Sequence, residues 1–339
     1  MSREAATLMA RETMEAPAVA ERMIEGNKAT LARIAEHLAS HPPSVIVTCG
    51  RGSSDHAASY GKYLIEAVSG VPVASAAPSI ASIYKTPVRT RDAFMIAVSQ
   101  SGRSPDLLAS IAAYQEAGTC VLALVNDTRS PLADKADMVL PLGAGVEASV
   151  AATKSCIAAL VGFATLVSAW TRDPELSRAL EQLPAALQSS LELDWSLLGR
   201  TLVPTNRMLV LGRGFSFGIA QEAGLKLKET CGIQAEPFSS AEARHGPMRI
   251  IERGYPILGF ATSDAAGADV RLAMTDFERW GAITLRAERA GNLPALPGHP
   301  ALEPIMMLAA FYKAVEELAR LRGMDPDAPP HLEKVTRTL

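Results

Sequence analysis

Cysteine is scarce in this chain: Cys49, Cys120, Cys156 and Cys231 are the only four in 339 residues, each within or beside an apolar run. No pair has the spacing of a metal knuckle or a dithiol redox motif, so a disulfide framework and a cysteine-held metal are not expected. They read as reduced, buried fillers of a cytoplasmic protein. Aromatic residues make up 5% of the chain and the net charge is only −3, with Lys and Arg scattered. Nucleic acid needs a basic stripe and a membrane surface needs a basic or apolar face, so neither is an expected partner. No stretch reads as long and apolar enough to span a bilayer. The opening Met1-Ser2-Arg3-Glu4 leads into a charged amphipathic segment rather than a signal core. The lysine-bearing nucleotide loop and the GxGxxG dinucleotide fingerprint are missing too. No cofactor and no metal are expected.

What the chain does have is repetition. Val45 to Cys49 is an apolar run ending in Gly50-Arg51-Gly52, and Met208 to Leu211 is another ending in Gly212-Arg213-Gly214. Gly50 to Ser99 spans 49 positions and Gly212 to Thr262 spans 50, while Ser99 to Gly118 and Thr262 to Gly281 each span 19. Two copies of one α/β unit are expected. Apolar runs near Val45, Met95, Cys120 and Val139, and again near Leu209, Ile257 and Ile283, alternate with helix-length segments. Such alternation predicts parallel sheets covered by helices on both faces, with ligands at the carboxyl ends of the strands. Between the copies, Leu176, Leu180, Leu183, Leu187 and Leu191 recur at helical spacing, and Pro184 is expected to divide that stretch into two helices.

One strand end stands out. Phe94 to Val98 is apolar and opens into Ser99-Gln100-Ser101-Gly102-Arg103-Ser104. Ser104 suits an N-cap, Pro105 the first helical position and Asp106 the first turn, and Gly118 suits the stop. Free amides at that helix start, together with the hydroxyls, would hold an anion. A single serine would be ordinary turn chemistry; three with a glycine in six residues point to a site. The second copy has Thr262-Ser263-Asp264 at this position, and Asp264 would repel a phosphate.

The second copy offers different groups. Glu222, Lys226 and Glu229 share one face of a predicted helix at spacings of four and three, which alone a solvated charged face would explain. Downstream, Phe238 to Pro247 reads as a polar turn whose His245 precedes two chain breakers.

Together these segments resemble the sugar isomerase (SIS) domain family, in the tandem form of the isomerase half of glucosamine-6-phosphate synthase. The motifs that carry the resemblance are CGRGSS at Cys49–Ser54, SQSG at Ser99–Gly102, VAATK at Val150–Lys154, LGRG at Leu211–Gly214, GLKLKE at Gly224–Glu229 and EARHGP at Glu242–Pro247. The resemblance implies two tandem α/β SIS domains, each a parallel sheet flanked by helices in a flavodoxin-like three-layer sandwich. It divides the chain into a helical leader (1–30), a sugar-phosphate-binding SIS domain (31–172), a helical connector (173–200), a catalytic SIS domain (201–323) and a tail (324–339).

It further implies that Ser54, Ser99, Gln100, Ser101 and Ser104 bind the sugar phosphate and that Val150 contacts the sugar through its backbone. Glu229 would move a proton between carbons 1 and 2, with Lys226 near the ring oxygen. His245 would open the ring from the neighbouring subunit of a homodimer. Lys334 in the tail would form a Schiff base at carbon 2. Ala152 stands where the synthase has a serine, so one contact is expected to be lost. The synthase also carries a glutaminase domain ahead of the leader. Its absence from this sequence gives the expectation of a stand-alone deaminase converting D-glucosamine 6-phosphate and water to fructose 6-phosphate and ammonia. The other readings are a deglycase or deaminase of a different phosphosugar adduct, such as a fructosyl-amino-acid 6-phosphate or galactosamine 6-phosphate, an ammonia-dependent synthase, and a non-catalytic sugar-phosphate sensor. A sensor would need the serine loop but not Glu229, His245 and Lys334 together.

Overall fold

In a computed structural model, residues 6–334 are described. The first five residues of the leader, and Val335 and Thr336 beside the tail lysine, lie outside the described residues. Two five-stranded parallel sheets carry the fold. The first contains β1 (Val45–Cys49), β2 (Val73–Ser75), β3 (Ala93–Ser99), β4 (Cys120–Val125) and β5 (Met138–Pro141), in the order β2-β1-β3-β4-β5. The second contains β6 (Arg207–Gly212), β7 (Gln234–Ser239), β8 (Pro256–Phe260), β9 (Ile283–Glu288) and β10 (Leu293–Pro294), in the order β10-β9-β8-β6-β7. Read from the other edge, the second order repeats the first strand for strand.

Each sheet is an open doubly wound one, and its order reverses beside its first strand: β2 lies on one side of β1 and β3 on the other, as β7 and β8 flank β6. Connections leave β1 and β3 in opposite directions, which opens a crevice at their carboxyl ends. The loops after β1 and β3 are Gly50–Gly52 and Gln100–Ser104, so the serine cluster sits at the first switch point.

Burial follows from this topology. β3 and β4 are central, and Phe94 to Val98 and Val121 to Val125 are all 3% exposed or less, which is why both read as unbroken apolar runs. The strands without such a run lie towards the edges. β7 (QAEPFS) carries Pro237, which an edge strand tolerates because one side makes no ladder bonds.

The chain forms two compact units, neither continuous in sequence: residues 18–146 with 158–181, which contain β1–β5, and residues 6–17, 147–157 and 182–334, which contain β6–β10. Two expectations change. The helix Pro174–Ser190 runs straight through Pro184. Its leucine face, Leu176, Leu180, Leu183 and Leu187, is buried to 4% exposure or less, and that packing outweighs one lost backbone bond. The helix Lys154–Thr171, at 18 residues, is long and apolar enough to cross a membrane by length and composition. It is 83% buried inside the protein, as a core helix is.

Candidate active site

In the β1–β5 unit, both loops at the switch point are shaped by glycine. Gly50 lies so close to the next helix that a Cβ there would sit 2.9 Å from the Ser54 carbonyl carbon and the Asp55 amide nitrogen. Gly102 has φ +65°, and a Cβ there would come within 2.1 Å of Ser130 Oγ. Gly102 donates its N–H to Ser99 Oγ at 2.9 Å, curling the loop back on the strand end. Ser54 stands in the first turn of the helix Ser53–Ser69, and Gln100, Ser101 and Ser104 are half-buried around the helix start Pro105.

Ser104 occupies the N-cap position but makes no capping bond; its hydroxyl donates to Asp106 at 3.0 Å. Asp106 is the polar pivot here. It is buried, and it accepts from Arg51 Nε at 2.8 Å and Nη2 at 2.5 Å. Burial alone would raise its pKa, but the Arg51 and Ser104 hydrogen bonds outweigh it and hold the carboxyl below the ordinary value. Arg51 itself is half exposed and ties the β1 loop to the β3 loop. The sequence reading passed over Arg51 within the CGRGSS motif and gave Asp106 only a helix-end role; the signal was an arginine between two glycines opposite a first-turn aspartate.

In the β6–β10 unit, the helix Phe217–Cys231 brings Glu222, Lys226 and Glu229 together, and they are not a solvated face. Glu222 and Lys226 are each 1% exposed, while Glu229 keeps 22%. Lys226 Nζ lies 2.5 Å from Glu229 Oε2 and 3.4 Å from Glu222 Oε1. Burial would strip the lysine of its proton, but the two carboxylates together raise its pKa above the ordinary value. Tyr312, from the helix Glu303–Leu321, donates to Glu222 at 2.9 Å and also meets the Cys156 thiol. A buried cation thus holds one fully buried carboxylate and one that reaches solvent. The one that reaches solvent is Glu229.

Val150 lies half-buried in the loop ahead of the helix Lys154–Thr171. Glu12, on the leader helix Leu8–Met14, holds that loop by accepting the Ala148 and Ser149 amides at 2.5 and 3.2 Å. Lys334 reaches the same loop, its Nζ 2.9 Å from Glu147 Oε2. Burial pushes the Cys156 thiol well above its ordinary value, and the charges of Glu222, Lys226 and Glu147 all act on it.

His245 stands apart. It is exposed, in a turn that a short helix, Ser240–Ala243, precedes, and its side chain makes no hydrogen bond to Glu229, Lys226 or Lys334. Its flanks are fixed, because Asp269 accepts from Ser240 and from Arg244 at 2.9 Å, and pairs with Arg213 at 2.7 Å. Burial works against the Asp269 charge, yet these donors bring its carboxyl down to about 2. Asp269 is a second residue the sequence reading missed, since nothing in a helix interior marks it. At this copy's own switch point, Asp264 caps the helix Ala265–Arg279 by accepting the Gly267 amide, and Glu303 accepts the Ser263 amide at 2.7 Å. Carboxylates of the chain take the amides that an anion would need.

Among the described residues, no cluster of three or more histidines, cysteines or carboxylates could hold a metal ion. The SIS domain family model matches residues 41–169 and 201–275, which contain the serine loop of the first copy and the Glu222–Glu229 helix of the second. A glutamine–fructose-6-phosphate aminotransferase (isomerizing) of Zymomonas mobilis is 30% identical over 311 residues, covering 85% of this chain and 51% of that protein. One from Bacillus licheniformis is 31% identical over 352 residues, 96% of this chain and 57% of the other. The chain therefore spans about half the length of the curated relatives it matches. A solved structure from Silicibacter pomeroyi, of a protein named after phosphosugar isomerases, superposes with TM-score 0.90 at 39% identity over 95% of this chain and all of that one. Glucosamine-6-phosphate deaminase of Thermotoga maritima shares the fold at 21% identity and TM-score 0.75, covering 94% and 100%. Matched across both sheets by that model and by relatives with the same alternation of strands, helices and loops, the chain belongs to the SIS domain family.

Proposed function

We propose that the protein is an isomerising enzyme of phosphosugars that acts on an amino sugar phosphate, with D-glucosamine 6-phosphate and water giving fructose 6-phosphate and ammonia. The observation that carries this reading is the Lys226–Glu229 pair, in which a buried lysine holds a carboxylate that still reaches solvent. Isomerisation between an aldose and a ketose needs one base that removes a proton from carbon 2 and returns it to carbon 1, and Glu229 is that base. The product of the shift is an imine at carbon 2; water adds there and ammonia leaves. Lys334 supplies an ε-amino group for the same carbon. His245 moves the protons of ring opening, a task for an imidazole that can both donate and accept a proton, and acts from the neighbouring subunit of a homodimer. Ser54, Ser99, Gln100, Ser101 and Ser104 hold the phosphate, with the Val150 backbone on the sugar.

A sensor has no use for a buried acid–base pair, which favours catalysis over binding alone. The test is release of ammonia and of ketose phosphate from glucosamine 6-phosphate, measured beside galactosamine 6-phosphate and a fructosyl-amino-acid 6-phosphate. Turnover of glucosamine 6-phosphate above the other two is the expected result. Preference for either of the others transfers the assignment to that adduct, and binding without turnover of any makes the protein a sensor.

A further inference from the structure

Glu147 has no place in the chemistry above, yet it is the most completely enclosed carboxylate near it. Its side chain has no solvent exposure, while that of Lys334 keeps 24%. Oε1 accepts the Thr153 and Ser155 amides, each at 3.0 Å, and Oε2 accepts the Ser155 hydroxyl at 2.6 Å and Lys334 Nζ at 2.9 Å. All its other donors are neutral. Lys334 is the only cation bonded to it among the described residues. The tail before Lys334, from Met324, has no helix or strand; Asp327 ties it to the leader by accepting the Leu8 and Met9 amides, and the bond to Glu147 places the amino group beyond that tie.

We propose that Glu147 is the positioning residue of Lys334: its buried carboxylate locates the ε-amino group and holds it in an ion pair until it is used. The inference rests on the proposed role of Lys334 at carbon 2. Electrostatics favour the ion pair. Burial would raise the Glu147 pKa, but Lys334 and the Ser155 donors outweigh it and keep the carboxylate ionised. Glu12 and the Cys156 thiol face Glu147, and Lys154, whose ammonium is held by Glu15 at 2.8 Å, faces Glu12. Glu12 adds negative charge and Lys154 offsets it, so neither takes the place of Lys334.

The experiment measures the reactivity of Lys334 in the full chain. A water-soluble amine-acylating reagent is applied across a range of pH, and the modified lysines are quantified by peptide mass spectrometry in wild type, Glu147→Gln and Glu147→Asp. Glu147→Gln removes the charge but keeps the shape, so Lys334 should label about tenfold faster near neutrality relative to the other lysines, and Glu147→Asp should fall between. In the same variants kcat should fall, with KM for the sugar phosphate little changed. An unchanged labelling profile in a folded Glu147→Gln protein overturns the proposal. If Glu147→Gln does not fold, Lys334→Gln decides. With its cation gone, the buried carboxylate should make this variant melt higher as pH falls towards the carboxylate range, where wild type melts lower. Equal pH dependence of melting in the two overturns the proposal. Altered labelling with no turnover of any amino sugar phosphate keeps the ion pair and discards the reaction.

Discussion

At the scale of single residues, the proposed reaction puts binding and chemistry on different side chains, which should fail differently. Replacing Glu229 by Gln removes the proton carrier without changing shape, so kcat should drop by about 10²–10⁴ with KM nearly constant, as steady-state ammonia release would show. Ser101→Ala should act mainly on KM, because a phosphate contact that persists from ground state to transition state contributes uniform binding. Lys226 is placed differently again. Removing it by Lys226→Met takes the buried cation away from Glu222, which keeps its Tyr312 hydrogen bond, and breaking that buried ion pair should cost about 3–5 kcal/mol of stability in a denaturant titration. Its spacing to both glutamates is plain in the sequence. Its burial is not, because a helix with charges at i, i+4 and i+7 is written alike whether that face meets water or the helix Glu303–Leu321.

At the scale of elements, loops that hold a ligand are stiffened by residues that never touch it. Gly102 combines φ +65° with contact against Ser130, so Gly102→Ala should destabilise by about 1–3 kcal/mol and weaken phosphate-dependent binding together. Asp269 does the same for the His245 turn through Ser240, Arg244 and Arg213. Its carboxyl is depressed to about 2, below its unfolded value. Its contribution is therefore full above the ordinary carboxylate range and is lost as pH falls towards 2. Asp269→Asn should flatten the acid limb of the melting profile, and an unaltered limb would show that the arginines hold the turn without it. The switch-point loop after β3 could be found from sequence because hydroxyls and a glycine follow an apolar run. The edge strand β7 could not, since Gln234 to Ser239 contains no such run and its pairing with β6 is a long-range event.

At the scale of the whole molecule, the two copies of the sheet differ at their switch points, where the second has its loop amides taken by carboxylates of the chain, Asp264 and Glu303. The proposed supply of His245 across subunits makes a distinct demand. His245→Ala and Glu229→Gln proteins, each impaired alone, should regain a fraction of wild-type ammonia release when unfolded and refolded together, because mixed dimers then hold one intact set. Recovery of nothing beyond the sum of the two would place His245 outside the reaction. Alkaline stability follows from Lys226, whose pKa is raised in the folded state. Its ion-pair stabilisation is complete below the ordinary lysine value near ~10.4 and is lost as pH rises through the folded value, so melting temperature should fall only in strong alkali.

Local order and composition, read from the sequence alone, already determine the α/β class, the repeat and the serine loop, because strand periodicity, helix starts and motif spacing are short-range properties. Tertiary structure alone decided that Lys226 is buried, that Arg51 and Asp106 tie two loops together, and that Pro184 does not break its helix. It also paired Lys334 with Glu147, 187 positions away. Each of these depends on which side chains meet after the chain has doubled back. The energy of a buried charge or a missing backbone bond is set by those neighbours and not by the residues adjacent in sequence.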